Sequence, residues 1–217
     1  MSSGRTMRGM TSGKTVRGGA QVPADAPQGR ITFPKPGNFV YPVPPALVSC
    51  RDKAGNRNIL TIAWTGTVCS DPPMAYISVR KERFSHPMLL ETGEFVINLP
   101  DAALARAADY CGCVSGRDVD KFSACSLTPC EMEGVSAPGI LEAPVSIACR
   151  VKQVLPLGSH DMFLADVVSV QVAERYIDAK GRFHMEQAGL LAYSHGAYFT
   201  LGKQVGTFGW TVKKRKK

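Results

Sequence analysis

The sequence predicts a mainly β, antiparallel fold: a barrel with a few short helices packed beside it. Three observations lead there. Apolar, β-branched runs of six to thirteen residues recur with turn residues between them. Helical patterning is confined to two or three short stretches. No Gly-x-Gly-x-x-Gly opens a helix after a strand, so a doubly wound dinucleotide fold has no support.

Taken in order, residues 1–30 are rich in Gly, Ser, Thr and Arg without periodicity and read as a disordered basic arm. Residues 31–45 carry five prolines, too many for a central strand, and read as extended surface chain. Strands are expected over A-L-V-S-C-R (46–51), I-L-T-I-A-W-T-G-T (59–67), M-A-Y-I-S-V (74–79) and E-F-V-I-N-L (94–99). Between the last two, S-H-P-M-L-L-E-T-G reads as a helix, with Ser85 as N-cap, Pro87 in the first turn and Gly93 as the stop. After Pro100, D-A-A-L-A-R-A-A-D-Y reads as a short helix capped by Asp101, and S-G-R-D-V-D-K-F (115–122) as a loop. Strands resume at 144–156 and 162–172, joined by a tight turn in L-P-L-G-S-H-D, and finish at G-A-Y-F-T-L (196–201). Residues 31–212 thus read as one domain, and K-K-R-K-K (213–217) as a basic tail.

The net charge of +8 belongs to the ends. Residues 1–21 and 213–217 hold nine cations and no acid; without them 17 basic residues face 18 acidic ones. A nucleic-acid-binding fold needs basic residues organised on its body, and no such motif is present; a cofactor-free module using only the tails is the residual form of that reading. No apolar run reaches the roughly 18 residues of a membrane span, and the N-terminus lacks the apolar segment of a secretory signal. Seven cysteines, an odd number without an export signal, fit free thiols in a reducing cytoplasm. Cys50, Cys69 and Cys149 lie in apolar runs and read as small core residues. Cys111, Cys113, Cys125 and Cys130 form C-G-C-x11-C-x4-C, in which neither gap is the two-residue spacing usual for zinc, and no metal is expected.

Residues 78–87, S-V-R-K-E-R-F-S-H-P, gather Arg80, Lys81 and Arg83 at the expected helix start. This is either a solvated turn or a site for an anion, a phosphate above all. Neighbours on a strand face opposite ways, so the sequence does not say which of Arg80 and Arg83 turns inward.

Several motifs in a fixed order carry a resemblance. N-I-L-T-I-A-W-T-G is followed by S-D-P-P-M-A-Y-I-S-V-R-K-E-R-F-S-H-P, then E-F-V-I-N-L-P, S-G-R-D-V-D-K-F, G-S-H-D and L-A-Y-S-H-G-A-Y-F. Over residues 38–205 the chain resembles the flavin reductase-like domain family, of the flavoredoxin type. The resemblance implies an FMN-binding split β-barrel that works as a homodimer. It implies that Ser85 at the helix start, with Arg80, Lys81 or Arg83, holds the flavin phosphate, and that Asn58 lies near the cofactor. Trp64 and Tyr193 would flank the ring, Tyr193 standing where the family commonly shows phenylalanine. Thr65, Thr67 and Ser70 would hydrogen-bond ring edges or ribityl hydroxyls. Lys121 and His160 would stabilise charge on the reduced ring or fix the nicotinamide; His86 and His195 are further candidates. The implied activity is hydride transfer from NADH or NADPH to FMN. The alternative is an FMN electron-transfer protein fed by a redox protein partner, with the cysteine cluster as the natural suspect.

Overall fold

Successive side chains of a strand point to opposite faces, so one strand can serve two cores. β1 (Ala46–Arg51) does so: Ala46, Val48 and Cys50 enter one apolar cluster and Leu47 another. The computed structural model describes Gly29 and residues 32–212; the cations expected in the two basic tails lie outside the described residues. β1 is followed by β2 (Arg57–Ile62), β3 (Thr65–Ser70), β4 (Pro73–Arg80), α1 (Ser85–Thr92) and β5 (Glu94–Leu99). A 3-10 turn over Ala102–Leu104 leads into α2 (Ala105–Cys113), then α3 (Lys121–Ala124), β6 (Pro129–Cys130) and β7 (Gly139–Ile140). The long hairpin β8 (Val145–Pro156) and β9 (His160–Val172) precedes a second hairpin, β10 (Leu191–Ser194) and β11 (Ala197–Thr200).

Seven strands form one antiparallel sheet in the order β2-β1-β5-β8-β9-β4-β3. It curls without closing, the expected split barrel. Its inner face buries Leu60, Ile77, Val79, Phe95, Ile97 and Phe163 against Met88 and Leu89 of α1. On the outer face Leu47 and Ile59 pack on Ala108 and Cys111 of α2 and Phe122 of α3. Asn98, fully buried, ties this face together. Its Nδ2 donates to Leu47 O at 2.8 Å and Ser49 Oγ at 2.9 Å, and its Oδ1 accepts from Ile140 N at 3.0 Å and Ser146 Oγ at 2.7 Å. A buried amide with this many partners carries little of the desolvation cost of an unpaired one.

The structure differs from the sequence reading in several places, among them Cys69, expected in the core but half-exposed on edge strand β3. The single strand expected over 59–67 is two, because β2 and β3 are opposite edges of the sheet and the chain crosses between them at Ala63–Trp64. Ser85 is not the N-cap: Arg83 N donates to Arg80 O and His86 N to Arg83 O, so the chain is already turning, and Phe84 holds the cap position with φ −55°. Ser85 sits instead in the first turn with its side chain buried. The loop expected at 115–122 runs into α3, whose cap Asp120 accepts from Phe122 N at 3.0 Å and Ser123 Oγ at 2.7 Å. β10 was not anticipated; it pairs with β11 through a two-residue turn in which His195 (φ 48°) and Gly196 (φ 85°) are both left-handed. Gly93 does stop α1, at φ 66°, and Asp101 caps the 3-10 turn by accepting from Leu104 N at 3.2 Å.

Residues 39–202 form one compact unit. Residues 203–212 belong to a separate one, in which Trp210 N donates to Thr207 O at 3.0 Å in a terminal turn.

Candidate functional site

Two pockets adjoin on the compact unit, sharing Leu60 and Arg83. The first is a cleft of about 260 Å³ at the crossing between β2 and β3. Trp64 lines it because the chain bends out of the sheet there, while Trp64 O accepts from Ser78 N at 2.8 Å and so fixes the bend to β4. Facing Trp64 are Tyr41, with ring centroids 6.0 Å apart, and Tyr193, 6.3 Å from Tyr41. Tyr198 continues the wall at 5.4 Å from Tyr193. Tyr41 is held in place by the paired hydrogen bonds of Val43 with Tyr193, at 3.0 and 2.8 Å. The cleft is therefore walled by flat aromatic faces, with Arg80, Arg83 and His160 on its rim. Arg80 and His160 are register partners across β4 and β9. Burial, and then the Arg80 charge, hold the His160 imidazole below its usual value, with Glu82 opposing, so the ring is neutral at pH 7. Its Nδ1 lies 2.9 Å from Ser159 Oγ.

The second pocket, of similar volume, is lined by donors. Ser85 is 1% exposed; its Oγ accepts from Asn58 Nδ2 at 2.7 Å, and its hydroxyl also interacts with the Cys50 thiol. Lys121 is 3% exposed; Nζ donates to Ile59 O and Cys111 O, each at 2.8 Å, and one of its three hydrogens remains. Burial holds this ammonium below the ordinary lysine value, partly offset by Cys111. Arg117, its guanidinium 5.5 Å over the Phe84 ring, stands at the mouth. The floor is Gly116, where a Cβ would fall 2.2 Å from Asn58 Oδ1 and 2.7 Å from Phe84 Cδ1. Only glycine fits a backbone pressed this close.

The profile of the family described as "Flavin reductase like domain" matches residues 38–202. The chain belongs to the flavin reductase-like domain family. Flavoredoxin of Desulfovibrio vulgaris (Miyazaki F) is similar in structure with a TM-score of 0.77 at 28% identity, over 85% of this chain and 100% of that one. The FMN-binding protein from Thermus thermophilus with bound 1-cyclohex-2-enone gives 0.68 at 28% identity, over 83% and 99%. A curated sequence relative, the NADH:riboflavin 5'-phosphate oxidoreductase of Streptomyces pristinaespiralis, is 23% identical over 60% of this chain and 72% of its own length.

In this flavin reductase-like chain the anticipated residues divide between the pockets. Trp64, Arg80, Arg83, His160 and Tyr193 line the aromatic cleft, so both arginines face it. Asn58, Ser85 and Lys121 line the donor pocket, with Arg83 between the two. His160 and Lys121 thus line different pockets. Thr65, Thr67 and Ser70 line neither pocket: the Thr65 hydroxyl donates to Tyr76 O at 2.7 Å, and Thr67 and Ser70 are exposed on edge strand β3. Lys81 and His86 turn to Asp161, at 3.4 and 2.8 Å. Burial opposes the Asp161 charge, but His86 and Lys81 outweigh it and hold the carboxyl below its usual range. His195 packs on Tyr41 at 5.0 Å, behind the cleft wall. Sequence reasoning missed Tyr41 and Tyr198, Arg117 and Gly116. The last two stand in the quoted S-G-R-D motif, where a glycine before a cation was the available signal.

Proposed function

We propose that this chain binds FMN across the two pockets and uses it as an NAD(P)H-dependent flavin reductase. The observation that carries the reading is the junction of an aromatic cleft with a buried donor pocket at Leu60 and Arg83. FMN has that division of needs: a flat tricycle at one end and a dianion at the other. The donor set fits the dianion. Ser85 Oγ, Lys121 Nζ and the Arg83 and Arg117 guanidiniums would hold the phosphate, and Gly116 lets its backbone close against Asn58 at the edge of that donor set. Trp64, Tyr41 and Tyr193 would flank the ring. Bound FMN would supply the hydride acceptor, for two electrons and one proton from a nicotinamide.

The protein's own part is placement and water exclusion. Arg80 and His160 line the same cleft as the aromatic rings, and a second flat ring would enter beside them against the first. Neutral His160, fixed by Ser159, offers a hydrogen bond to the incoming amide, and Arg80 a charge to its phosphates. A homodimer belongs to the same reading, supported by the exposed Val68, Val168 and Val170 on the sheet. The test is the visible spectrum of the purified protein, followed by NADH and NADPH oxidation with added FMN. A flavin spectrum with turnover on either nicotinamide is expected. Bound flavin without turnover on either defeats the reductase and favours electron transfer from a protein donor.

A further inference from the structure

Of the four clustered cysteines, two meet. Cys111 Sγ lies 3.8 Å from Cys125 Sγ, while Cys113 is exposed and Cys130 lies in β6. Cys111 is 1% exposed in α2, and Cys125 is the half-buried C-cap of α3. A covalent S–S bond is about 2.05 Å long, so closing this pair takes about 1.8 Å of travel. The travel falls on α3. Helix α2 has nine residues and is pinned to β2 by Thr61 Oγ1 donating to Ala108 O, whereas α3 has four. Directly after Cys125 comes Ser126 at φ 52°, a left-handed conformation that a non-glycine residue adopts at a cost. The same short helix begins with Lys121: Cys125 N donates to Lys121 O at 3.1 Å, and Lys121 Nζ donates to Cys111 O at 2.8 Å. One turn of helix therefore joins the thiol pair to the ammonium of the donor pocket.

We propose that Cys111 and Cys125 form a reversible disulfide whose closing displaces Lys121 and weakens FMN binding; the second half rests on the function proposed above. A hydroperoxide is the oxidant. The more accessible Cys125 sulfur attacks hydrogen peroxide, giving a sulfenic acid and one water. The Cys111 sulfur then displaces the hydroxyl, which leaves as the second water with the Cys111 proton. Two electrons and two protons leave the dithiol, and a small dithiol reductant returns them. Burial and then Cys125 push the Cys111 thiol up, which suits it to the resolving rather than the attacking role.

The test exposes the protein to hydrogen peroxide, alkylates it with iodoacetamide and sequences the digested peptides. A cross-link between Cys111 and Cys125 that dithiothreitol opens is expected, and it should persist in Cys113→Ser. FMN titration by fluorescence should show about tenfold weaker binding after oxidation, restored by the reductant. Cys125→Ser and Cys125→Ala should each abolish both the cross-link and the affinity change. Alkylatable or over-oxidised Cys111 and Cys125 without a cross-link overturn the disulfide. A cross-link with unchanged FMN affinity overturns the coupling through Lys121. Failure of the reduced protein to bind FMN instead defeats the functional reading, and the peptide result still decides the disulfide.

Discussion

Lys121→Met weakens FMN binding about 100-fold, on the order of 2.7 kcal/mol, while the protein still folds. The magnitude follows from burial. The ammonium is 3% exposed, so a phosphate dianion held beside it would be screened by little water, and removing one partner would leave that charge poorly compensated. Folding survives because two effects oppose each other. Methionine has similar length and removes a buried charge, but Ile59 O and Cys111 O each lose a donor, at about 1 kcal/mol apiece. The wild-type protein carries a pH signature that the variant lacks. Burial lowers the Lys121 value below the ordinary 10.5. As pH rises through that lowered value the free protein loses the positive charge, so FMN affinity falls before pH 10.5 is reached. Fluorescence titration of FMN from pH 7 to 10 reads both effects; equal affinities and equal pH profiles for the two proteins would remove Lys121 from the site.

Gly116→Ala is the second large effect, and it acts through shape. The added Cβ falls 2.2 Å from Asn58 Oδ1, 2.6 Å from Asn58 Cγ and 2.7 Å from Phe84 Cδ1, so at least one neighbour must move. Moving Asn58 breaks its 2.7 Å bond to Ser85; moving Phe84 disturbs the entry to α1 and the Arg117 stack. Every route deforms the donor pocket. Overpacking of this kind costs about 1–3 kcal/mol of stability, and the loss of two aligned donors costs FMN affinity on the order of 100-fold. Thermal unfolding and FMN titration should both move. Unchanged FMN affinity would mean that the floor of this pocket is not part of the cofactor site.

Much of the fold was legible locally. The β1, β4, β5, β8 and β9 runs announce themselves through β-branched residues, and Gly93 and Asp101 mark helix ends by chemistry that acts within one turn. What escaped depended on partners far along the chain. Nothing near Ala63–Trp64 says that the strand must break; the break exists because β2 and β3 end on opposite edges of the sheet. Helix α3, at four residues, spans barely one helical turn, too short for a periodic hydrophobic pattern to show. The site follows the same division. Trp64, Arg83, Ser85 and Lys121 stand in motifs and were legible as residues, but their distribution between two pockets was not. Lys81 looked equivalent to Arg80 and Arg83 until Asp161, eighty residues on, claimed it. Tyr41 hid in a proline-rich segment that reads as surface chain, and only its stitching to Tyr193 turns it into a wall.

The measurement that bears most directly on the account is a paired calorimetric titration of the protein with FMN and with riboflavin, which differ only in the phosphate. If the pocket of Ser85, Lys121, Arg83 and Arg117 grips the dianion, FMN binds at least about 100-fold more tightly than riboflavin, and added salt narrows the gap. Equal affinities for the two, or no heat with either, contradict it.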